Sequence, residues 1–150
     1  MNNKTVSFGD EAMRKVKEGV DLLCDAVKVT LGPAGRTVLI ENPVRMPQST
    51  KDGVTVANHI LLSDNLMNLG AEIAKEASRK TNDRSGDGTT TTCVLLQAIY
   101  RDAARLISSG HSPNEIISQM RKAERDIIDL LKKSSVKVRT KEELIRICLL

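Results

Sequence analysis

Apolar residues follow a helical spacing over the first part of the chain. Steps of three and four positions join one stripe made of Ala12, Val16, Val20, Leu23, Val27 and Leu31. This spacing predicts a long amphipathic helix that begins after Gly9-Asp10. We expect the helix to end at Gly32-Pro33-Ala34-Gly35, because glycine accepts the left-handed conformation of a helix end and proline cannot continue the hydrogen-bond ladder.

The pattern then changes to short extended segments. Thr37-Val38-Leu39-Ile40 is rich in β-branched residues and is bounded by Asn42-Pro43, which predicts a short strand. A second extended segment is predicted around Gln48–Thr50, before the turn Lys51-Asp52-Gly53.

Helical spacing returns in the second half. Leu66, Leu69, Ile73 and Ala77 predict a helix that ends near Thr81-Asn82. The helix that follows Gly86-Asp87-Gly88 continues to about Ser108. It is apolar nearly all round in its first half, so we expect it to be buried.

Two capping sequences begin the last two helices. Ser112-Pro113-Asn114-Glu115 combines an N-cap serine, a proline at the first helical position and a glutamate that closes a capping box. Thr140-Lys141-Glu142-Glu143 repeats the capping-box pattern and opens a helix that runs to Leu150. One face of the earlier helix carries Ile116, Met120, Ala123, Ile127 and Leu130.

Composition narrows the function classes. The chain has 150 residues, is 40% hydrophobic and contains only Phe8 and Tyr100 as aromatics. The length suits one ordinary domain with an aliphatic core and excludes a complete multidomain enzyme. So few aromatic rings also argue against base-stacking nucleic-acid modules.

The net charge of +4 arises entirely in the last thirty residues, which hold nine basic and five acidic side chains. Because Glu124, Asp126 and Asp129 lie among the basic residues, a solvated helix face explains this segment better than a nucleic-acid site.

Cysteines, histidines and hydropathy indicate a reducing compartment. Cys24, Cys93 and Cys148 are far apart in apolar surroundings, which is typical of reduced core residues. His59 and His111 have no partner at metal-ligand spacing. Neither an apolar signal core nor a membrane-spanning run occurs, so we expect a cytoplasmic protein without a membrane partner.

The most informative chemistry lies in Gly86-Asp87-Gly88-Thr89-Thr90-Thr91-Thr92. Successive threonines are poor helix formers, but their hydroxyls and the free N–H groups of a helix start suit a phosphate chain. Asp87 would repel phosphate unless Mg²⁺ lay between them, and this ion prefers one or two carboxylates plus phosphate oxygens. A simple capped helix whose threonines bond back to the preceding turn explains the same residues equally well.

Two other turns carry weaker indications. Thr30-Leu31-Gly32-Pro33-Ala34-Gly35-Arg36 would let backbone approach a ligand, but an ordinary Gly-Pro turn is the better interpretation. Lys51 could neutralise phosphate charge and Asp52 could orient or deprotonate water, although a surface turn accounts better for these residues taken alone. The sequence contains neither a Walker A motif nor GxGxxG.

Together the three turns resemble the N-terminal part of the group I chaperonins, the large bacterial and organellar ring chaperones. The resemblance covers most of residues 4–133 in one register, and its Gly-Asp-Gly-Thr-Thr-Thr element is highly specific. The resembling segments are Asp25-Ala26-Val27-Lys28-Val29-Thr30-Leu31-Gly32-Pro33, Gly35-Arg36, Thr50-Lys51-Asp52-Gly53-Val54, Asn82-Asp83 and Gly86-Asp87-Gly88-Thr89-Thr90-Thr91.

This resemblance implies an ATP site with magnesium. Asp87 corresponds to the family's magnesium ligand, Asp52 helps to position the hydrolytic water, and Lys51 lies near the phosphates and a potassium ion. The residues that it places around the nucleotide phosphates are Thr30, Leu31, Gly32, Pro33, Lys51, Asp87, Gly88, Thr89, Thr90 and Thr91.

The implied fold is mainly α, an incomplete chaperonin equatorial-domain-like helical bundle with short β-strands. Residues 1–133 would form the N-terminal half of the equatorial ATP-binding domain, and residues 134–150 the start of the intermediate domain. The family forms homo-oligomeric rings that use ATP to fold non-native polypeptides under a co-chaperonin lid.

Family members are several times longer, and residues 146–150 depart from the family pattern, so we expect a truncated chain with weak or no ATP turnover of its own. The alternative is a non-enzymatic fragment that only associates with chaperonin rings or exposed hydrophobic surfaces.

Overall fold

The computed structural model describes residues 6–41 and 46–149, and these form six helices and one two-stranded sheet. The elements are α1 (Gly9–Lys28), β1 (Val38–Ile40), β2 (Gln48–Thr50), α2 (Gly53–His59), α3 (Asn65–Ser85), α4 (Thr89–Ser108), α5 (Pro113–Ser134) and α6 (Lys141–Cys148). The mainly helical fold with short strands is therefore confirmed. The chain divides into two compact units, the first ending at Ser108 and the second starting at Ser109.

The core of the first unit lies between α1, α3 and α4, with α2 against it. Glycines bring α1 and α3 unusually close: a Cβ atom built on Gly19 would lie 1.8 Å from the carbonyl oxygen of Met67, and one built on Gly70 would lie 2.0 Å from that of Val16. The buried apolar residues are Val20, Leu23, Cys24, Val27, Val56, Ala57, Ala71, Ala74 and Cys93.

Helix α1 ends earlier than its apolar stripe suggests. It stops at Lys28, where the Thr30 hydroxyl donates to the carbonyl oxygen of Val27 at 2.8 Å. The expectation that Leu31 belongs to the helical stripe is therefore wrong, and this side chain is 45% exposed. The threonine bonds locally to the backbone at the end of the helix, as β-branched hydroxyl residues commonly do.

The two short strands form an antiparallel hairpin. Val38 pairs with Thr50 and Ile40 with Gln48, so both predicted extended segments are confirmed, the first beginning one residue later than expected. The predicted boundary at Asn42-Pro43 lies outside the described residues.

Helix α2 was not predicted from the sequence. Asp52 is its N-cap residue, and its carboxylate accepts hydrogen bonds from the Thr55 amide and hydroxyl. The helix has only seven residues and begins with glycine, so hydrophobic spacing and helix propensity both fail to indicate it.

Helices α3 and α4 confirm the predicted elements, but α4 is less buried than expected. Only Thr89, Cys93 and Gln97 are buried among its residues, and Leu95 is 56% exposed. The expectation of a fully buried first half is wrong because α1 and α3 cover only one face of α4.

The second unit contains α5 and α6, and none of their described residues is buried. Pro113 occupies the start of α5 as predicted, but the Ser112 side chain makes no capping hydrogen bond, so that predicted capping box is wrong. Ser112 has φ −67° and an extended backbone like Asp64, which has φ −78° and does cap its helix, so the hydrogen bond is missing although the backbone is that of an N-cap residue.

Helix α6 has the predicted capping box. The Thr140 hydroxyl accepts from the Glu143 amide at 3.2 Å, and the Glu143 carboxylate accepts from the Thr140 amide at 3.2 Å. The helix ends at Cys148, which is exposed, so the expectation that all three cysteines are core residues is wrong for this one. The predicted end at Leu150 lies outside the described residues. In the described ranges no helix is long and apolar enough to cross a membrane.

Candidate functional site

Three turns meet at the ends of α1, α2 and α4. A Cβ atom built on Gly53, the first residue of α2, would lie 2.3 Å from Thr90 Oγ1 and 3.2 Å from Val27 Cγ1. Thr90 Oγ1 is also 3.5 Å from Thr30 Oγ1. Thr90 therefore contacts the other two turns, although the three are far apart in the sequence.

The turn after α1 is tightly folded by its own backbone. The Gly35 amide donates to the Gly32 carbonyl at 2.9 Å, and the Arg36 amide donates to the Val29 carbonyl at 2.8 Å. Gly32 has φ +74°, and a Cβ on Gly35 would lie 2.2 Å from the Thr30 carbonyl oxygen, so both positions require glycine. Thr30 is buried, while Leu31, Gly32 and Pro33 are exposed and present backbone to solvent.

The turn before α2 presents Lys51 and Asp52, both exposed. Asp52 Oδ2 accepts from the Thr55 amide at 2.8 Å and from the Thr55 hydroxyl at 2.5 Å. The side-chain hydrogen bond from Thr55 is the largest influence on this carboxyl and, with backbone hydrogen bonds, outweighs burial to lower its pKa. Asp52 is therefore a carboxylate at neutral pH.

The turn before α4 combines two glycines with one acidic residue. Gly86 has φ +70° and ends α3, with its amide donating to the Asn82 carbonyl at 2.8 Å. Asp87 is exposed, and its Oδ1 accepts from the Gly88 amide at 2.6 Å. The turn thus holds one carboxylate at the amino end of α4.

The four threonines of α4 divide into different roles. The Thr92 hydroxyl oxygen lies 2.9 Å from both the Gly88 carbonyl oxygen and Thr81 Oγ1, and its contact with the Gly88 carbonyl is the back-bonding that a simple capped helix predicts. Thr89 is buried, and its carbonyl lies 3.5 Å from the Ser78 hydroxyl. Thr91 is exposed, and Thr90 contacts the other turns. The back-bonding therefore accounts for Thr92 but not for Thr90 or Thr91.

The side chains present suit a magnesium ion that takes most of its ligands from elsewhere. Within the described part of the chain, no group of three or more His, Cys, Asp or Glu residues could hold a metal ion. Asp87 alone supplies one exposed carboxylate at a helix start, and Mg²⁺ commonly takes one or two carboxylates together with phosphate and water oxygens. This donor set is compatible with a phosphate-bound ion and not with a metal site made only of protein.

Sequence reasoning assigned no role to two residues at the place where the three turns meet. Both Gly53 and Val27 are buried, and Gly53 lies between Thr90 and Val27. Gly53 could have been identified as a glycine that directly follows an aspartate at a helix start. Glycine is a poor helix residue, so its presence there indicates that a neighbouring group approaches the backbone closely. Of the predicted site residues, the structure brings Thr30 and Thr90 into contact and places Asp52 next to Gly53.

Comparison with known proteins identifies one family and a similar solved structure. The TCP-1/cpn60 chaperonin family matches residues 23–149. Among solved structures, the chain is similar to the chaperonin gp146 from the bacteriophage EL 2 (Pseudomonas aeruginosa), crystallised in the presence of ATP-BeFx, with a TM-score of 0.71 and 33% sequence identity.

That similarity covers 87% of this chain and 23% of the phage chaperonin chain. The chain therefore spans about a quarter of the length of the structure it matches. The residues matched by the family include all three turns, from Thr30 through Thr91. On the family match and the shared fold, the chain belongs to the TCP-1/cpn60 chaperonin family.

Proposed function

We propose that this chain carries the phosphate- and magnesium-binding part of a chaperonin ATP site. The observation that supports this most is the contact of Thr90 with both Thr30 and Gly53, because it gathers three glycine-containing turns from distant segments. The residues next to this contact in the sequence include Gly32, Asp52 and Thr91, which are exposed and are not needed for a stable core alone. The phage chaperonin of similar structure was crystallised with ATP-BeFx, which agrees with a nucleotide site.

The phosphates would be held mainly by backbone and hydroxyl groups. Leu31, Gly32 and Pro33 offer exposed backbone on one side. On the other side, Gly88 and the hydroxyls of Thr89, Thr90 and Thr91 stand at the amino end of α4. The unpaired N–H groups and positive dipole end of a helix favour an anion there.

Charged residues complete the proposed site. Asp87 would hold Mg²⁺, which when bound would neutralise phosphate charge. Lys51 would add a positive charge near the phosphates and the potassium ion. Asp52, whose pKa is lowered, is ionised and would orient the attacking water by accepting its hydrogen.

Because this chain spans about a quarter of the length of the phage chaperonin, we propose the polypeptide-folding activity only for complete members of the family. We assign residues 1–133 to the N-terminal half of an equatorial ATP-binding domain and residues 134–150 to the start of an intermediate domain. In the complete family protein, ATP binding and hydrolysis would act within a homo-oligomeric ring on non-native polypeptides, with a co-chaperonin as partner.

Isothermal titration calorimetry tests the site. We expect ATP to bind in the presence of Mg²⁺ and to bind up to about tenfold more weakly after chelation, because without the ion the Asp87 carboxylate repels the phosphates. Asp87→Ala should reproduce the loss in the presence of Mg²⁺. Asp126→Ala removes an exposed carboxylate from α5 and serves as the matched control, which should bind as the unmodified chain does. Equal affinity for Asp87→Ala and the control would refute the assignment.

A second candidate function rests on the exposed apolar residues of α5. Ile127, Leu130 and Leu131 are 56%, 63% and 63% exposed, and none of the described residues of this helix is buried. Such a face suits association with a chaperonin ring or with exposed hydrophobic surfaces. Sedimentation of the chain with assembled chaperonin rings would support this role, and Leu130→Glu should abolish it. A chain that sediments alone at all ring concentrations would exclude it.

A further inference from the structure

An aspartate followed by a glycine occurs twice in the chain, once in each of two turns described above. Asp52-Gly53 opens α2, and Asp87-Gly88 immediately precedes α4. Such a pair is prone to close into a ring, because a glycine has no side chain that shields its amide nitrogen from the preceding carboxyl group. The structure holds the two pairs in different ways.

At Asp87 the groups that would react already lie together. The Gly88 amide donates to Asp87 Oδ1 at 2.6 Å, and because Oδ1 is bonded to Cγ, the amide nitrogen is also close to the carboxyl carbon. The pair lies in the short connection between α3, which ends at Ser85, and α4, which begins at Thr89. Asp87 is exposed, so water reaches its carboxyl group.

At Asp52 the carboxylate is held by other partners. Its Oδ2 accepts from the Thr55 amide at 2.8 Å and from the Thr55 hydroxyl at 2.5 Å. Gly53 is buried, and a Cβ atom built on it would lie 2.3 Å from Thr90 Oγ1, so its backbone is packed against a neighbour. Ring closure here must break the cap of α2 and move a packed peptide group.

We propose that Asp87 isomerises spontaneously to isoaspartate in the folded chain and that the cap of α2 protects Asp52 from the same reaction. The Gly88 nitrogen attacks Asp87 Cγ and forms a C–N bond. One carboxyl oxygen leaves as water, taking the amide hydrogen and one proton from solvent, and a five-membered succinimide remains.

Water then opens this ring at one of its two carbonyl carbons and returns a proton to solvent. Opening at Cγ restores aspartate, whereas opening at the backbone carbonyl carbon leaves the chain joined through Cγ, which is isoaspartate. One water is lost and one is gained, so the mass is unchanged and no oxidant is needed.

The product would alter the connection between α3 and α4. Isoaspartate adds one carbon to the backbone and leaves the carboxylate attached directly to Cα, so the carboxylate moves relative to the start of α4. A loss of magnesium binding after isomerisation would rest on the function proposed above. The isomerisation itself needs neither nucleotide nor metal, and its test reads the chemistry of residue 87 alone.

Peptide mapping of the unmodified chain by mass spectrometry tests the proposal. The folded chain is incubated in neutral buffer and digested, and isoaspartyl peptides are identified by unchanged mass, separate elution and resistance to a protease that cleaves before aspartate. We expect isoaspartate to accumulate at least about tenfold faster at Asp87 than at Asp52, since ring closure at Asp52 must first break its cap. In guanidinium chloride, which removes the fold, the two positions should isomerise at similar rates.

Asp87→Glu is the matched variant, because a side chain longer by one methylene cannot close a five-membered ring. Position 87 should then yield no isomer, while Asp52 behaves as in the unmodified chain. Equal accumulation at Asp87 and Asp52 in the folded chain, or faster accumulation at Asp52, would overturn the proposal. It would also be overturned if Asp87 isomerised in guanidinium chloride but not in the folded chain.

Discussion

Asp52 has two roles that must be separated before any mutation there can be interpreted. Its carboxylate caps α2 through Thr55, and the same carboxylate is the proposed orienter of water. An N-cap aspartate contributes to stability by satisfying an otherwise unpaired amide at the helix start. A loss of activity in Asp52→Ala would therefore report both the missing charge and a weakened helix.

We predict that Asp52→Asn separates the two roles. Asparagine is about as good an N-cap as aspartate, so the free energy of unfolding should change by only a few tenths of a kcal/mol, whereas Asp52→Ala should cost about 1 kcal/mol. Urea unfolding monitored by circular dichroism measures the free energy of unfolding of both variants. Equal losses for the two variants would show that the charge, and not the cap, stabilises α2.

The pH dependence provides an independent check on Asp52. Because folding lowers the pKa of Asp52, its contribution to stability is present above the usual aspartate pKa and is lost as the pH falls through the lower folded value. Asp52→Asn removes this titration, so its stability should fall less steeply in acid than that of the unmodified chain. An identical slope in the two proteins would contradict the lowered pKa.

Single residues also show where sequence reasoning reaches its limit. The resemblance to the chaperonin family identified Thr30 and Thr90 as candidates, and the structure brings them into contact. It did not identify Gly53, because its importance arises from Thr90, which is distant along the chain. At Ser112 the right residue types at the right spacing and an extended N-cap backbone are both present, yet the side chain makes no capping hydrogen bond, so spacing alone does not determine the contact.

Among the elements, the packing of α1 against α3 depends on two glycines facing each other's helix. Gly19 lies against the Met67 carbonyl and Gly70 against the Val16 carbonyl, so each helix has a glycine where the partner's backbone is closest. A methyl group at either position would meet backbone, which cannot move aside as a flexible side chain can. The helices would have to separate, and this would loosen the core that they share.

We predict that Gly19→Ala and Gly70→Ala each destabilise the first unit. Alanine is favoured over glycine within a helix by about 1 kcal/mol, but forcing an extra group into a packed contact costs about 3 kcal/mol, leaving a net loss of about 2 kcal/mol. The double variant should lose less than the sum, because the first clash already separates the helices. Urea unfolding provides the measurement.

The matched control is Ala98→Gly, the reverse exchange at an exposed position within α4. It should cost about 1 kcal/mol and so measures the helix-propensity contribution alone. If Gly19→Ala instead stabilised the chain by about 1 kcal/mol, the helix-propensity gain would be uncompensated, and the two helices would not need glycine for their close approach.

Periodicity predicted the long helices well and the short one poorly. α1, α3 and α4 each extend over many turns, so their apolar spacing can be recognised, whereas the seven residues of α2 are too few. Burial was predicted less well than secondary structure. Leu95 continues an apolar run but is exposed because the packing of α4 against α1 and α3 covers one face, and the run itself contains no information on that.

At the scale of the whole chain, the two units differ in how many of their apolar residues are buried. The first unit contains every buried hydrophobic residue of the described chain, whereas the described residues of α5 and α6 include none. Yet α5 has a pronounced apolar face, as its sequence predicted. Amphipathic spacing thus identifies a helix that is able to bury one face without showing what that face packs against.

This difference predicts unequal local stability. Amide hydrogens exchange through local opening, and the free energy of opening rises with the buried apolar contacts that must be broken. Relative to intrinsic exchange, we expect amides in the middle of α5 to exchange at least a hundredfold faster than those in the middle of α1. Hydrogen exchange measured by mass spectrometry on peptides from the two helices gives this comparison within one sample.

Repeating the exchange over a range of protein concentrations separates the isolated helix from a covered one. If a second copy covers the α5 face, protection of α5 should rise with concentration while that of α1 stays constant, since only α5 gains buried contacts. Leu130→Glu, which places a charge on an exposed apolar position, should remove any such rise. Equal and concentration-independent protection of α5 and α1 would mean that contacts within the chain stabilise both helices, contrary to the burial seen here.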